Sequence, residues 1–289
     1  MLLKKAISFI LKKFVFQTNS KNLTTFYDSD SDYYYISPSL RQEFRFKQTL
    51  DDHSLFFRKL NKVFHNKEGN IILDIGSNLG YWALAFDKYL DRRKIIFAFE
   101  PDLENFQYLS HNTSRYPNIQ LFQTGLSSKI EDLSVGMPDY VDNLSEDRKV
   151  NTGYLSVLHN KENLSGTRFS RGDSFIPGLL NDEDKIFIIK IDVEGFEDQV
   201  LLGLKETLST DKPAVILEIN PRTQILSGYS LHDVFKLFFD LNYCPLVPPT
   251  ELEFSLDEDG MPNQALNMIL APEELITRFK EEMDYKEIK

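Results

Sequence analysis

Five short apolar runs punctuate the middle of the chain: Ile71–Ile75, Ile95–Phe99, Ile119–Phe122, Ile186–Ile191 and Ala214–Ile219. Each is nearly continuous rather than alternating, which marks strands covered on both faces, as in a parallel sheet. Stretches with helical spacing lie between or after them: Tyr81–Leu90, Leu103–Asn112, Glu197–Leu208 and Leu231–Leu241. Strand and helix in alternation predict an α/β fold with a doubly wound, mostly parallel sheet. Tyr243–Val247 and Ala265–Leu270 are two further strand candidates and bring that sheet to seven strands.

Outside this rhythm the pattern is less regular. Residues 49–65 have a broad apolar face, Leu55, Phe56, Leu60, Val63 and Phe64, and predict a helix ended by Gly69-Asn70. At the N-terminus, Leu3, Ile7, Ile10 and Phe14 share one helical stripe while Lys5 and Lys12 face away. This leading helix is expected to dock on the protein's own surface or on a partner. Peripheral contact of residues 1–16 with an anionic membrane is the alternative. Its apolar run Ala6–Leu11 is too short for a signal peptide, and no stretch approaches the roughly 20 apolar residues needed to span a bilayer. Asp28–Tyr33 reads as an acidic loop without the glycine and distal glutamate of a calcium hand. The interval from Leu126 to Lys185 is far longer than a βα connection requires. Its alternating pieces Tyr154–Leu158 and Thr167–Ser170, with Gly166 and Gly172 as turns, predict an insertion of hairpins before the fourth core strand, beside the active edge. The expected organisation is an N-terminal helical extension and loop over 1–66 and a main domain over 67–289, with the insertion at about 126–185.

Composition narrows the function. Hydrophobic residues make up 42% of the 289 positions, enough to give one large domain a proper core. The net charge of -11 argues against nucleic acid as a partner, since phosphate binding needs a basic footprint. The single cysteine, Cys244, excludes an intrachain disulfide and a cysteine-based zinc site. It suits a reducing compartment, and the expected location is cytoplasmic, membrane-peripheral if residues 1–16 engage lipid. The five histidines are scattered without metal-ligand spacing.

The chemistry concentrates at the carboxyl ends of the predicted strands. Asp74-Ile75-Gly76-Ser77-Asn78-Leu79-Gly80 closes the first one and leads into a helix at Tyr81. Glycine there lets the backbone approach a ligand, and the helix start offers unpaired N–H groups. A dinucleotide fingerprint would need glycine at 78 and 81, where the chain has Asn78 and Tyr81. The Asp74 carboxylate would be unwelcome beside a pyrophosphate but suits the cationic amino-acid end of S-adenosylmethionine. Glu100, followed by Pro101, ends the second strand at the position where a carboxylate can accept both ribose hydroxyls. Gly125, in Gln123–Ser127 after the third strand, offers backbone beside an adenine. The cofactor-binding set is therefore Asp74, Gly76, Ser77, Asn78, Gly80, Tyr81, Glu100, Pro101 and Gly125.

The fourth core strand ends in Lys190-Ile191-Asp192-Val193-Glu194-Gly195, three ionisable groups at alternate positions on the same rim. Asp192 and Glu194 are the candidates to orient or deprotonate an acceptor, and Lys190 to tune their charge; Glu197 and Asp198 read as complements to a helix dipole. His159, in the insertion, is an outside candidate base. No metal is required by the pattern, but if Mg²⁺ takes part, Asp192, Glu218 and Asn220 are the oxygen ligands at hand.

Together LDIGSNLGYW at 73–82, AFEP at 98–101, IKIDVEGFE at 189–197 and ILEIN at 216–220 resemble the FkbM-type methyltransferases, with DVEG the most diagnostic part. The resemblance is strongest over about residues 70–220; Ser77 stands where the family commonly has alanine. It implies a class I, Rossmann-like fold and S-adenosylmethionine as cofactor. It further implies O-methylation of a sugar, a glycan of the cell surface or another small metabolite, by in-line attack of an acceptor oxygen on the sulfonium methyl. The rivals are an oxidoreductase on the same sheet and a non-catalytic interaction module of the same fold.

Overall fold

The computed structural model describes residues 24–28, 33–37, 55–65, 67–90, 94–136, 156–157, 166–220, 223, 227, 231–247, 266–284 and 286–287. The leading stripe 1–16, the start of the predicted helix at 49–54, the loop residues 29–32 and His159 lie outside them. Strands β1 (Thr24–Asp28) and β2 (Tyr33–Ser37) form an antiparallel pair. The first 66 residues therefore contain a strand pair where only helix and loop are expected from the sequence.

A helix, α1, follows at 55–63. The main domain then runs β3 (Ile71–Ile75), α2 (Tyr81–Tyr89), β4 (Ile95–Phe99), α3 (Leu103–Thr113) and β5 (Ile119–Phe122). The inserted segment contributes β6 (Gly125–Ser127), β7 (Glu131–Leu133), β8 (Val135–Gly136), β9 (Ser156–Val157), β10 (Thr167–Arg171), the short α4 (Gly172–Phe175) and a 3₁₀ turn. The chain ends with β11 (Ile186–Ile191), α5 (Glu197–Gly203), α6 (Lys205–Thr210), β12 (Ala214–Ile219), α7 (Leu231–Asp240), β13 (Tyr243–Val247), β14 (Leu266–Pro272), α8 (Glu273–Met283) and β15 (Lys286–Glu287).

The seven expected strands are all present in one sheet, with β15 added at its edge; the order is β15-β13-β14-β12-β11-β3-β4-β5. Neighbours from β12 to β5 are parallel, and β14 is antiparallel to both its neighbours. β3 and β11 are buried along their whole length, which is why their sequences are unbroken by polar residues except at Asp74 and Lys190. From β3 the chain steps outward to β4 and β5, then returns to β11 on the other side of β3. The winding direction reverses between β3 and β11, and a crevice opens at their carboxyl ends.

Helices cover both faces. Phe57 and Leu60 of α1, Leu84 and Phe86 of α2, Leu109 of α3 and Phe279 of α8 pack on one. Phe196, Val200 and Leu204 around α5, Phe238 of α7 and Phe169 of β10 pack on the other. The inward face of α1 is shifted from the one expected. Phe57 is fully buried against Trp82, Phe86 and Tyr89, whereas Leu55 remains 61% exposed. Burying the larger ring places Phe57, Leu60 and Phe64 on the inward side at helical spacing.

The inserted segment is not a simple run of hairpins. β10 lies between β6, parallel to it, and β7, antiparallel to it, while β8 and β9 pair separately. The helix expected at 197–208 is also broken in two. The Leu204 N–H turns back to Leu201 O, and the amides of Glu206 and Thr207 are taken by the Asp173 carboxylate at 2.9 Å each. Asp173 thus caps the second piece from outside the helix. At the joint, a Cβ on Gly203 would lie 2.0 Å from the Ser127 carbonyl oxygen. We expect Gly203→Ala to lower stability by about 1–3 kcal/mol through forced separation of α5 from β6. A denaturant midpoint equal to that of the unsubstituted protein would refute this. Among the described residues, no helix is long and apolar enough to cross a membrane.

Candidate active site

The crevice is shaped by the turn after β3. Gly76, at φ +81°, and Ser77 both donate their N–H to Phe99 O, at 3.0 and 2.9 Å, tying β3 to β4. On the other side Asp192 N–H donates to Ile75 O at 3.0 Å. A Cβ at Gly76 would fall 1.9 Å from Asp192 O, so only glycine lets the ends of β3 and β11 converge.

Glu100 is fixed by the same turn. Its Oε2 accepts from Asn78 N–H at 2.7 Å and its Oε1 from Asp102 N–H at 2.9 Å. Asp102 in turn caps α3 through Asn105 N–H at 2.9 Å. Burial raises the Glu100 carboxyl to about 8, although the two N–H donors pull it down. Each oxygen, with one donor satisfied, keeps acceptor capacity toward the cleft.

The cleft, about 810 Å³ with its open mouth, is lined by Gly76, Asn78, Glu100, Pro101, Asn105 and Gly125. Asp192, Glu194 and Glu218 line it as well, and Phe99, Leu126, Val135, Val157, Phe169 and Phe196 make apolar walls. Seven of the expected residues therefore share one cleft: Gly76, Asn78, Glu100, Pro101, Gly125, Asp192 and Glu194.

Asp74, Ser77, Gly80, Tyr81 and Lys190 do not line it. Alternation along β3 is the reason for Asp74: Ile75 lines the cleft, so Asp74 points to the other face. It is fully buried there, beside Lys190 in the β3–β11 register. Neither of its carboxylate oxygens has a hydrogen-bond partner. Burial raises Asp74 to about 7. The nearby Ser77 hydroxyl would lower it, but the hydrogen bond it makes is to Asp74's own carbonyl oxygen, at 2.8 Å. Ser77 and Gly80 thus shape the turn, with Gly80 leading into α2 against Leu109. Tyr81 packs edge-on to Trp82.

The acidic group is a small charge network. Lys190 is buried on β11, and its Nζ lies 3.4 Å from Asp192 Oδ2, donates to Ile191 O at 3.2 Å and sits 4.9 Å above the Trp82 ring. Burial would raise Asp192, but its side chain keeps 27% exposure. Lys190's charge and hydrogen bonds with Glu218 and Lys190 win, holding Asp192 below the usual carboxylate range. Burial and the Asp192 charge push Glu194 and Glu218 well above it, with Glu197 adding to the effect on Glu194. The arrangement is one carboxylate flanked by two carboxylic acids that favour their neutral forms.

One oxygen from each of Asp192, Glu194 and Glu218 lies within 4.8 Å of the others. Of the oxygen ligands anticipated for a metal, Asp192 and Glu218 fall in this group with Glu194, and Asn220 stands beside it, its amide Nδ2 donating to Glu194 Oε2 at 3.3 Å. Sequence reasoning missed Asn105, whose place in the first turn of α3 after a capping Asp102 was a usable signal. It placed the inserted segment beside the active edge but did not single out Val135, Val157 and Phe169, which line the cleft from β8, β9 and β10.

The profile of the Methyltransferase FkbM domain matches residues 74–244, and the chain belongs to that family. Hexuronic acid methyltransferase AglP of Haloferax volcanii is 29% identical over 173 residues, covering 59% of this chain and 62% of that protein. AMB antimetabolite synthetase AmbE of Pseudomonas aeruginosa is 28% identical over 182 residues, 53% of this chain and 8% of that one. The chain thus spans less than two thirds of either relative. Among solved structures, a methyltransferase FkbM from Methylobacillus flagellatus is 16% identical with a TM-score of 0.44, covering 70% of this chain and 43% of that one.

Proposed function

We propose that the protein transfers a methyl group from S-adenosylmethionine to a hydroxyl oxygen of a sugar, glycan or other small metabolite. The observation that carries this reading is one cleft lined by both the buried Glu100 and Asp192, whose carboxylate is held below the usual range.

The residues present fit the cofactor. Gly76 and Asn78 line the cleft where β3 turns, and Glu100 faces it with acceptor capacity for ribose hydroxyls. Gly125 and Leu126 offer a flat, apolar flank for a base. When bound, S-adenosylmethionine supplies an activated methyl group on a sulfonium. The rest falls to the protein. Asp192 would accept the proton of an acceptor hydroxyl held in the cleft, and Lys190 holds that carboxylate ionised beforehand. Glu194 and Glu218, in neutral form, can donate to other oxygens of a polyol. Positioning of two reactants in one cleft provides most of the acceleration.

The single cysteine supports a reducing compartment such as the cytoplasm, with residues 1–16 as a route to peripheral membrane contact. Calorimetric titration with S-adenosylmethionine is the direct test, and it is expected to show saturable binding. No binding at millimolar ligand would sink the methyltransferase reading, and tight binding of a nicotinamide dinucleotide instead would revive the oxidoreductase. A panel of sugars and glycans follows. Uronic acid sugars belong in it, because AglP carries hexuronic acid in its name.

A further inference from the structure

Lys190 carries more than one role can use. It is completely buried, and its charge bears on four carboxyl groups: Asp74, Asp192, Glu194 and Glu218. Two of them compete for it most directly. Asp192 lies at 3.4 Å and faces the cleft. Asp74 is its cross-strand neighbour, is fully buried, and has two carboxylate oxygens with no hydrogen-bond partner. Burial raises Asp74 to about 7 although the Lys190 charge and the Ala83 N–H pull it down, and once ionised it attracts an ammonium group strongly. Something must keep the side chain of Lys190 aimed along its own strand rather than sideways to Asp74.

Two contacts besides Asp192 do so: Ile191 O at 3.2 Å and the face of the Trp82 ring at 4.9 Å. The ring itself is held. Phe57 meets it at 5.2 Å and Phe56 at 6.0 Å from α1, and Phe86 at 5.6 Å from the next turn of α2. We propose that Trp82 is a positioning residue: its indole face holds the Lys190 ammonium against Asp192, the carboxylate that faces the acceptor. Trp82 is not among the residues lining the cleft and acts through Lys190. The proposal rests on Asp192 serving methyl transfer, and it ties α1, outside the matched family segment, to the working end of β11.

The test uses the full chain with Trp82→Leu and Trp82→Phe. A desolvated cation–π contact corresponds to about a tenfold change, so Trp82→Leu is expected to lower kcat about tenfold. The Kd for S-adenosylmethionine and the acceptor KM should stay within about twofold of the unsubstituted protein, because the lost contact positions the base rather than the ligands. Trp82→Phe keeps an aromatic face and should recover most of kcat. A folded Trp82→Leu protein with unchanged kcat overturns the proposal, as does a Phe variant as slow as the Leu variant.

A second readout needs neither turnover nor cofactor. Trp82 is the protein's one tryptophan, so indole emission reports on this ring alone. The emission maximum is expected to shift in Lys190→Met, and also in Asp192→Asn, where the ammonium loses its anchor. Superimposable spectra for all three proteins overturn the proposal even if Trp82→Leu fails to fold. Failure of the methyltransferase reading looks different: no cofactor binding by the unsubstituted protein, with the spectral shifts intact.

Discussion

Replacing Asp192 by Asn should lower kcat by about a hundredfold or more, while the Kd for S-adenosylmethionine stays within about twofold. The substitution keeps size and removes the proton acceptor together with its charge. Asp192 meets the Gly76 turn through its backbone, with its N–H on Ile75 O and its carbonyl oxygen against Gly76, and the substitution leaves that backbone unchanged, so cofactor affinity should be spared. The consequences spread through the network. Asp192's charge is among the causes that hold Glu194 and Glu218 high, so both should ionise more readily in the variant. Lys190, still buried, loses its nearest carboxylate, and some loss of stability is expected from the unpaired charge. The measurement is single-turnover methyl transfer alongside a titration of the cofactor. A fully active Asn variant would remove Asp192 from the mechanism. An equal loss in kcat and in cofactor affinity would instead mean that the crevice itself had been disturbed. The pH dependence has a definite sense. Activity should fall on the acid side only below the ordinary carboxylate range, where Asp192 protonates. It should fall on the basic side as Glu194 and Glu218 ionise and crowd like charge around Asp192.

The sheet was legible because its strands are covered on both faces. A strand covered on both faces is apolar at nearly every position, so the boundaries of β3, β4, β11 and β12 stand in the sequence unmodified, as do those of the half-exposed edge strand β5. The break between α5 and α6 was not legible, because its causes are distant: the Asp173 carboxylate and the Ser127 carbonyl both arrive from the inserted segment. The strands β1 and β2 and the helix α8 also escaped. In α8 the buried Leu275, Phe279 and Met283 are spaced four apart among charged residues, a thin stripe that counts for little against the polar remainder. For the site, residues at strand ends were readable and those one layer below were not. Glycines and carboxylates after a parallel strand point toward the crevice by topology, which found Gly76, Glu100, Asp192 and Glu194. Asp74 had the right position along the strand but lies on the opposite face, a distinction set by the pleat. Trp82 contributes through a lysine on another element, and nothing in its local sequence announces that.

Glu100 sets stability against affinity, and pH should move the two in opposite directions. The carboxyl is at about 8 in the folded protein against an ordinary 4.5, because burial disfavours its charged form. A raised acid in the folded state binds its proton more tightly than the unfolded chain does between those values. Its contribution to stability is thus fully present below pH 4.5 and is lost as pH rises through about 8. Asp74, moved from 3.8 to about 7, acts in the same direction. Glu100's share of the loss has a ceiling on the order of 5 kcal/mol. The protein without cofactor should therefore melt higher at pH 5 than at pH 8. Ribose hydroxyls, however, donate to the ionised carboxylate. Affinity for S-adenosylmethionine should tighten toward pH 8, with release of a proton on binding at pH 7. Glu100→Gln separates the two effects. One of the two N–H donors, from Asn78 or Asp102, would face an amide NH₂, so the variant does not simply gain stability. Its melting temperature should depend less on pH, and its affinity at pH 8 should fall about tenfold to a hundredfold. Thermal melts at both pH values, with calorimetry in two buffers of different ionisation enthalpy, read each term separately. If the Gln variant binds as tightly as the parent and releases the same fraction of a proton, Glu100 is not the ribose acceptor.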